Sequence, residues 1–172
     1  RMAGKPASTL LHLGPGLANG LANLHNAKKA NSGVVNVVGE HTTYHIKHDA
    51  PLTSDIEGVA RPMSHWVRTS LSSLDVAADG AAAIEAATQA PGQIATLILP
   101  ADTAWGPAEK VVTARPTSPR AKVNESAVKG AAEMLSNGKK TTLLLAGPAL
   151  TEEGLQIAGR IAGKTGCGLL SE

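Results

Sequence analysis

Aromatic side chains and cysteines are scarce in this sequence. Its 172 residues include no phenylalanine, one tyrosine, two tryptophans and one cysteine. The scarcity of aromatics argues against an aromatic-rich β-sandwich and favours helices packed closely on a parallel sheet. The single Cys167 excludes an internal disulfide and is typical of a reducing compartment, and its glycine and leucine neighbours favour a small core residue.

The sequence also has no large excess of positive or negative charge, and it has no long apolar run. The net charge is +2, and no run of lysine or arginine is interleaved with aromatics, so nucleic acid is not an expected partner. No apolar run approaches the roughly 20 residues that span a bilayer, and no signal-type apolar segment follows Arg1. We therefore expect a cytoplasmic protein that binds neither nucleic acid nor membrane.

Apolar runs alternate with helical segments along the whole chain. The apolar runs predict strands at 9–13, 33–38, 64–70, 94–99, 141–146 and from 168 onward. The segments between them predict helices that end near 30 and that span 54–60, 74–90, 124–135 and 151–164, with Ser54 and Asn124 as caps. The alternation predicts an α/β fold with a doubly wound parallel sheet.

A proline-rich stretch interrupts this alternation. Four prolines lie between Pro100 and Val123 among polar and basic residues, which indicates an ordered linker. We predict one domain at 1–100, a linker at 101–123, and part of a second α/β domain at 124–172. A βαβ unit that stops at its last strand leaves sheet edges uncovered, so we expect the chain to be a fragment of a longer protein.

A polar loop above the sheet is predicted at 40–51, and it carries three histidines with spacings of four and three: His41, His45 and His48. On a helix these side chains would align, and Asp49 could add a fourth metal ligand. The intervening Thr42-Thr43-Tyr44 is a poor helical sequence, and no second ligand pair occurs elsewhere. We therefore expect no dedicated metal site, and interpret the loop as a polar lid or an interface segment.

The segment Leu11–Gly20 joins the first predicted strand to a helix through Gly14-Pro15-Gly16. Junctions of this kind often bind small molecules in α/β proteins, although many ordinary turns also use glycine and proline. The segment resembles the Gly-Pro-Gly…Asn segment of thiamine-diphosphate-dependent enzymes. Within that family, the segment is most similar to the acetolactate synthase large-subunit type, and it also resembles benzoylformate decarboxylase. Further matching features follow in the family's order: Val37-Val38-Gly39, Asp55-Ile56, Ala60-Arg61-Pro62, Pro91-Gly92, and Leu97 through Asp102.

The resemblance implies a domain assignment and a set of cofactors. Residues 1–100 would be most of the aminopyrimidine-binding domain, lacking its N-terminal strand and helix, and 124–172 would begin the central domain. The implied cofactors are thiamine diphosphate and Mg²⁺; the family also allows FAD, which no residue here supports. The family's cofactor lies between two subunits, so the implied assembly is at least a homodimer.

The resemblance also implies that essential groups lie outside the chain. In the family, the glutamate that protonates the cofactor lies about two dozen residues before the position of His12, which here would be before Arg1. The segment that holds Mg²⁺ and diphosphate belongs to a C-terminal domain. We therefore expect this chain to be inactive by itself.

The resemblance assigns cofactor-binding residues by position. Pro15 and Asn19 match positions that line the aminopyrimidine pocket, and Gly14 and Gly16 match positions that shape the turn. Leu52, with Pro51, stands where acetolactate synthases usually carry Phe-Gln, so this cofactor-binding position lacks their polar contact.

His12 is the one catalytic residue that the resemblance implies. It stands where acetolactate synthases usually carry a hydroxyl residue and where benzoylformate decarboxylase carries an active-site histidine. A histidine there can relay protons near neutral pH, or it can be a structural residue at a strand end. No residue of the chain is assigned to a metal.

The resemblance implies a lyase or transferase that acts on 2-oxo acids by decarboxylation, with or without carboligation. The alternatives are a benzoylformate-type 2-oxo acid decarboxylase and a non-catalytic α/β binding module. A small-molecule 2-oxo acid is the expected substrate.

Overall fold

A computed structural model of the chain describes residues 3–115 and 122–172. They fall into two compact units, one within 1–118 and the other within 119–172. The predicted linker begins as a short helix, and its residues 116–121 lie outside the described part of the chain.

The first unit is built on a four-stranded parallel sheet. Its strands are β1 (Ala7–His12), β2 (Val34–Glu40), β3 (Trp66–Thr69) and β4 (Ile94–Pro100), in the order β1-β2-β4-β3. Its helices are α1 (Leu13–Lys29), α2 (Ile56–Ala60), α3 (Val76–Thr88) and α4 (Ala101–Trp105). The predicted doubly wound parallel α/β fold is confirmed.

Alternate residues of the strands face two different helical layers. On one face, α1 and α2 pack on β2 and β4 through the buried residues Leu17, Leu24, Val34, Val38, Ile56, Ala60, Ile94 and Ile98. On the other face, α3 packs on the same strands through Ala83, Ala87, Ala95 and Leu97. The alanine side chains bring α3 close to the sheet, which explains how a core forms without phenylalanine.

A row of hydrogen-bonded polar side chains crosses the first of these faces. Thr9 donates to Asn36 Oδ1 at 2.7 Å, and Asn36 Nδ2 donates to Thr96 Oγ1 at 3.1 Å. The Ser64 hydroxyl lies 2.7 Å from the same Thr96 oxygen. Thr9, Asn36 and Thr96 are register partners on β1, β2 and β4, and Asn36 and Thr96 are fully buried. Because a buried polar group must find its partner, this row favours one strand register over its neighbours.

The junction between β1 and α1 differs from the prediction. The prediction extended the strand to residue 13 and placed a glycine turn at 14–16, but α1 begins at Leu13, directly after His12. The chain reverses at Leu13, whose φ of 57° is left-handed, and Gly14-Pro15-Gly16 form the first helical turn. Leu13 is buried, and its packing offsets a backbone cost of about 1–2 kcal/mol.

Two smaller predictions are also corrected. The N-terminal cap of α2 is Asp55 and not Ser54, because the Asp55 carboxylate accepts a hydrogen bond from the Gly58 amide at 2.8 Å. The helix therefore begins at Ile56, one residue later than a cap at Ser54 would give. The predicted loop at 40–51 is not wholly irregular, because β2 continues to Glu40 and Ile46–His48 forms a 3₁₀ turn.

The second unit contains a two-stranded parallel sheet, with β5 (Thr142–Leu145) paired to β6 (Gly168–Ser171). Its helices are α5 (Glu125–Ser136) and α6 (Glu152–Thr165), and a 3₁₀ turn spans Gly147–Ala149. As predicted, Asn124 caps α5 by accepting from the Ser126 and Ala127 amides, and Cys167 is buried. Within the described ranges, no helix has the length and apolarity needed to cross a bilayer.

We predict that Asn36→Ala lowers the free energy of unfolding of the first unit by about 1–3 kcal/mol, because it breaks the buried polar row. Urea unfolding should show this loss, whereas Asn23→Ala on the exposed surface of α1 should cause almost none. Equal stability of the Asn36→Ala variant and the unsubstituted chain would contradict a structural role for the row.

Candidate functional site

The carboxyl ends of three adjacent strands form one edge of the four-stranded sheet. β1 ends at His12, which is the register partner of Gly39 in β2, and Glu40 is the register partner of Pro100 in β4. The segments that follow these strands are the first turn of α1, residues 41–55, and α4 with Gly106. In open parallel sheets, ligands bind at this edge, so the predicted site residues lie where a site is expected.

His12 is exposed at the end of the edge strand β1. It is also the residue that directly precedes α1. The His12 Cβ lies near Gly16, where an added Cβ would be 3.5 Å from it. Within residues 3–115 and 122–172, no hydrogen bond engages the imidazole, and its catalytic role stays a prediction.

Gly14 allows the first turn of α1 to touch the segment that leads into α2. It is buried, and a Cβ at this position would overlap the hydroxymethyl group of Ser54. Gly14 is therefore required for close approach, since the left-handed conformation at this junction belongs to Leu13. Sequence reasoning treated Ser54 only as a helix cap, and no local pattern could have paired it with Gly14.

The Gly14–Ser54 contact brings the segment that carries Leu52 to the first turn of α1. The Ser54 hydroxyl donates to the Leu52 carbonyl at 3.3 Å, so Leu52 lies next to the contact. Pro15 and Asn19 are exposed and lie four residues apart on one side of α1, and the Leu52 side chain is 42% exposed. Two of these exposed side chains are apolar, and the Asn19 amide can donate and accept hydrogen bonds. Their role in cofactor binding stays a prediction.

Asp102, in α4, holds the segment that follows β2. Its Oδ1 accepts from the Thr43 amide at 2.9 Å and its Oδ2 accepts from the Thr43 hydroxyl at 2.6 Å. These hydrogen bonds, the hydroxyl's first, lower the pKa of the Asp102 carboxyl below its usual value. Sequence reasoning quoted Asp102 only as part of a matching stretch, because a contact across 59 residues leaves no local signal.

The three histidines of this segment lie close together without forming a helix. The ring centroids of His41 and His45 are 5.4 Å apart, and those of His45 and His48 are 5.6 Å apart. The His41 Nε2 atom is buried and has no hydrogen-bond partner among the described residues. Throughout the part of the chain that the structure describes, no group of three or more potential ligands has metal-binding geometry.

Comparison with known proteins relates this chain to thiamine-dependent enzymes. Residues 1–59 match the family described as thiamine pyrophosphate enzyme, N-terminal TPP binding domain. The chain is 49% identical over 173 aligned positions to the Mycobacterium tuberculosis protein IlvX, whose name assigns it provisionally as an acetolactate synthase large subunit. The alignment covers 100% of this chain and 33% of that protein.

Two solved structures share the fold. One is a provisionally named thiamin diphosphate-dependent enzyme from Mycobacterium smegmatis, with a TM-score of 0.84 and 27% identity. The other is the Rhodococcus jostii 4-hydroxybenzoylformate decarboxylase, with a TM-score of 0.87 and 19% identity, which supports the fold alone. Each match covers 99% of this chain and 33% of the other, so the chain spans about a third of the length of its relatives. The resemblance inferred from the sequence is confirmed.

Gly14 and Gly16 offer a matched pair of substitutions. Gly14→Ala should destabilise the first unit by about 1–3 kcal/mol, because the added methyl overlaps Ser54. Gly16→Ala should be neutral or slightly stabilising, because its methyl would make an ordinary contact with His12 in a helical position. Melting temperatures of the two variants check this, and equal values would contradict the close approach at Gly14.

The Asp102 carboxylate predicts a dependence on acid pH. A carboxyl group whose pKa is lower in the folded state stabilises that state above its unfolded pKa of about 3.9, and this contribution disappears as the pH falls through the folded value. Carboxyl titration by NMR should therefore give Asp102 a midpoint below about 3.9. Thr43→Val should move the midpoint upward, and an unchanged midpoint would contradict the assigned cause.

Proposed function

We propose that the intact protein uses thiamine diphosphate on 2-oxo acids, because this chain is similar to thiamine-diphosphate-dependent enzymes. The reaction is decarboxylation, with or without carboligation, of the acetolactate synthase type, which makes the protein a lyase or transferase. The observation that carries the proposal is the close approach of Gly14 to Ser54, which brings the first turn of α1, with its exposed Pro15, next to the segment that carries Leu52. Because the chain spans a third of its relatives, the activity belongs to the intact protein and not to this part alone.

The first unit supplies the aminopyrimidine side of the cofactor site. Pro15 and Leu52 would hold the ring by apolar contact, and the Asn19 amide would hold it by hydrogen bonding. When bound, thiamine diphosphate supplies the carbon nucleophile and stabilises the charge left as carbon dioxide departs. In the family that the chain resembles, Mg²⁺ and the diphosphate are held by a C-terminal domain, so we propose that residues outside this chain hold the Mg²⁺. FAD is not required by any residue of this chain.

The proposed assembly is at least a homodimer. The surface around Pro15, Asn19 and Leu52 is open, and a site of this kind must be covered to exclude water from the reaction. A second subunit provides that cover. The domain assignment follows: the first unit is the aminopyrimidine-binding domain, and the second unit begins the central domain. The single cysteine supports a cytoplasmic location.

His12 is proposed to move a proton at the carbonyl oxygen of the substrate. It is exposed at the carboxyl end of β1, one residue before α1, and its Cβ adjoins Gly16. An imidazole side chain is a common general acid and base in enzymes. A histidine at this position also favours the second candidate, a benzoylformate-type decarboxylase, since acetolactate synthases usually carry a hydroxyl residue here.

Substitution of His12 tests the proposed function in the intact enzyme. His12→Ala should lower kcat by about 10²- to 10⁴-fold with nearly unchanged affinity for thiamine diphosphate. His25→Ala, on the exposed surface of α1, is the matched control and should leave kcat unchanged.

Steady-state kinetics at saturating cofactor, with a melting curve for each variant, separates the outcomes. An unchanged kcat in a less stable His12→Ala variant would assign His12 a structural role. An intact protein that binds no thiamine diphosphate would instead identify a non-catalytic binding module and refute the proposal.

A further inference from the structure

Residues 41–53, here named the arm, connect β2 to the segment that leads into α2. Nine of these thirteen residues are exposed and none is buried, so apolar packing contributes little to holding the arm in place. The arm carries the three neighbouring histidines at one end and Leu52 at the other.

Hydrogen bonds within the arm are local. His45 and Ile46 donate to the Thr42 carbonyl, His48 donates to the His45 carbonyl, and Thr53 donates to the Ala50 carbonyl. Local bonds of this kind set the shape of the arm but do not attach it to the sheet.

One residue of the arm reaches another element. Thr43 donates both its amide and its hydroxyl to the carboxylate of Asp102, at 2.9 and 2.6 Å. Among the described residues, these are the only hydrogen bonds that join 42–53 to another helix or strand. His41 donates to Glu40, its neighbour in the chain, which holds only the first residue of the arm.

We propose that Asp102 is a positioning residue that fixes the arm through Thr43 and so keeps Leu52 beside the first turn of α1. The step from the arm to cofactor binding rests on the proposed function, whereas the attachment itself does not. A two-point attachment of this kind requires a carboxylate on one side and a residue with two donors on the other. A carboxylate offers two acceptors, and only threonine or serine combines a backbone amide with a short hydroxyl in the same place.

The attachment also explains the ionisation of Asp102. The two donated hydrogen bonds favour the carboxylate, so the pKa of Asp102 lies below its usual value. The charged groups along the arm and its contacts are Lys47, Asp49, Glu40 and Asp102 itself. Above about pH 5 the carboxylate remains charged and the attachment persists.

Trypsin cleavage at Lys47 measures release of the arm directly, because Lys47 is exposed at its centre. Asp102→Ala and Thr43→Val should each raise the initial cleavage rate at Lys47 by about ten- to a hundredfold, since two hydrogen bonds to a charged group are lost or weakened. Thr43→Ser keeps both donors and should cleave at nearly the unsubstituted rate.

The controls are matched to the substitutions. Thr42→Val alters the neighbouring threonine, and Asp75→Ala alters an exposed aspartate at the start of α3; neither side chain has a hydrogen bond within the described ranges. Both should leave cleavage at Lys47 unchanged. Hydrogen exchange of the 44–53 amides, measured at one fixed pH, should rise in the same variants, and it serves as the readout if one variant cannot be obtained folded.

The principal rival is that the histidine side chains hold the arm by packing on each other. The proposal is overturned if Asp102→Ala and Thr43→Val cleave like the controls, or if His45→Ala releases Lys47 while they do not. Because neither cofactor nor activity enters the measurement, a failure here is distinct from a failure of the proposed function.

Discussion

The parallel pairing of β1, β2 and β4 is the constraint on which the rest of the first unit depends. It brings the ends of three strands to one edge, and it fixes which side chains face α1 and which face α3. A slip of one residue in β2 or β4 would move Asn36 or Thr96 out of the polar row and expose the apolar residues beside them. The buried polar row therefore gives the sheet a specific register that apolar packing alone would define less sharply.

The position of the first turn of α1 follows from this register. α1 can start immediately after β1 because the chain reverses at the buried Leu13 and because Gly14 leaves room for Ser54. The segment before α2 is thereby held against the first turn of α1, which places Leu52 near that turn. Pro15 and Asn19 are exposed on the same helix, which is where we propose that the cofactor binds.

Much of this was predictable from the sequence, because the signals were local. Apolar runs such as 94–99 marked the strands, and Asn124 marked a helix start whose cap lies within three residues. The order of the family-like segments predicted the relationship to thiamine-dependent enzymes. The contacts that the sequence did not predict join distant residues: the close approach of Gly14 to Ser54, and the hydrogen bonds from Thr43 to Asp102. The reversal at Leu13 was missed because a leucine rarely adopts a left-handed conformation, so glycine was the natural expectation.

The central claim is that the first turn of α1 and Leu52 form the aminopyrimidine side of a cofactor site. The most direct test is a crystal structure of the intact protein with thiamine diphosphate. The account predicts the ring against Pro15 and Leu52, with the Asn19 amide within hydrogen-bond distance of its polar edge and a second subunit over the opposite side. A cofactor bound away from this surface, or a surface covered without cofactor by another part of the same subunit, would contradict it.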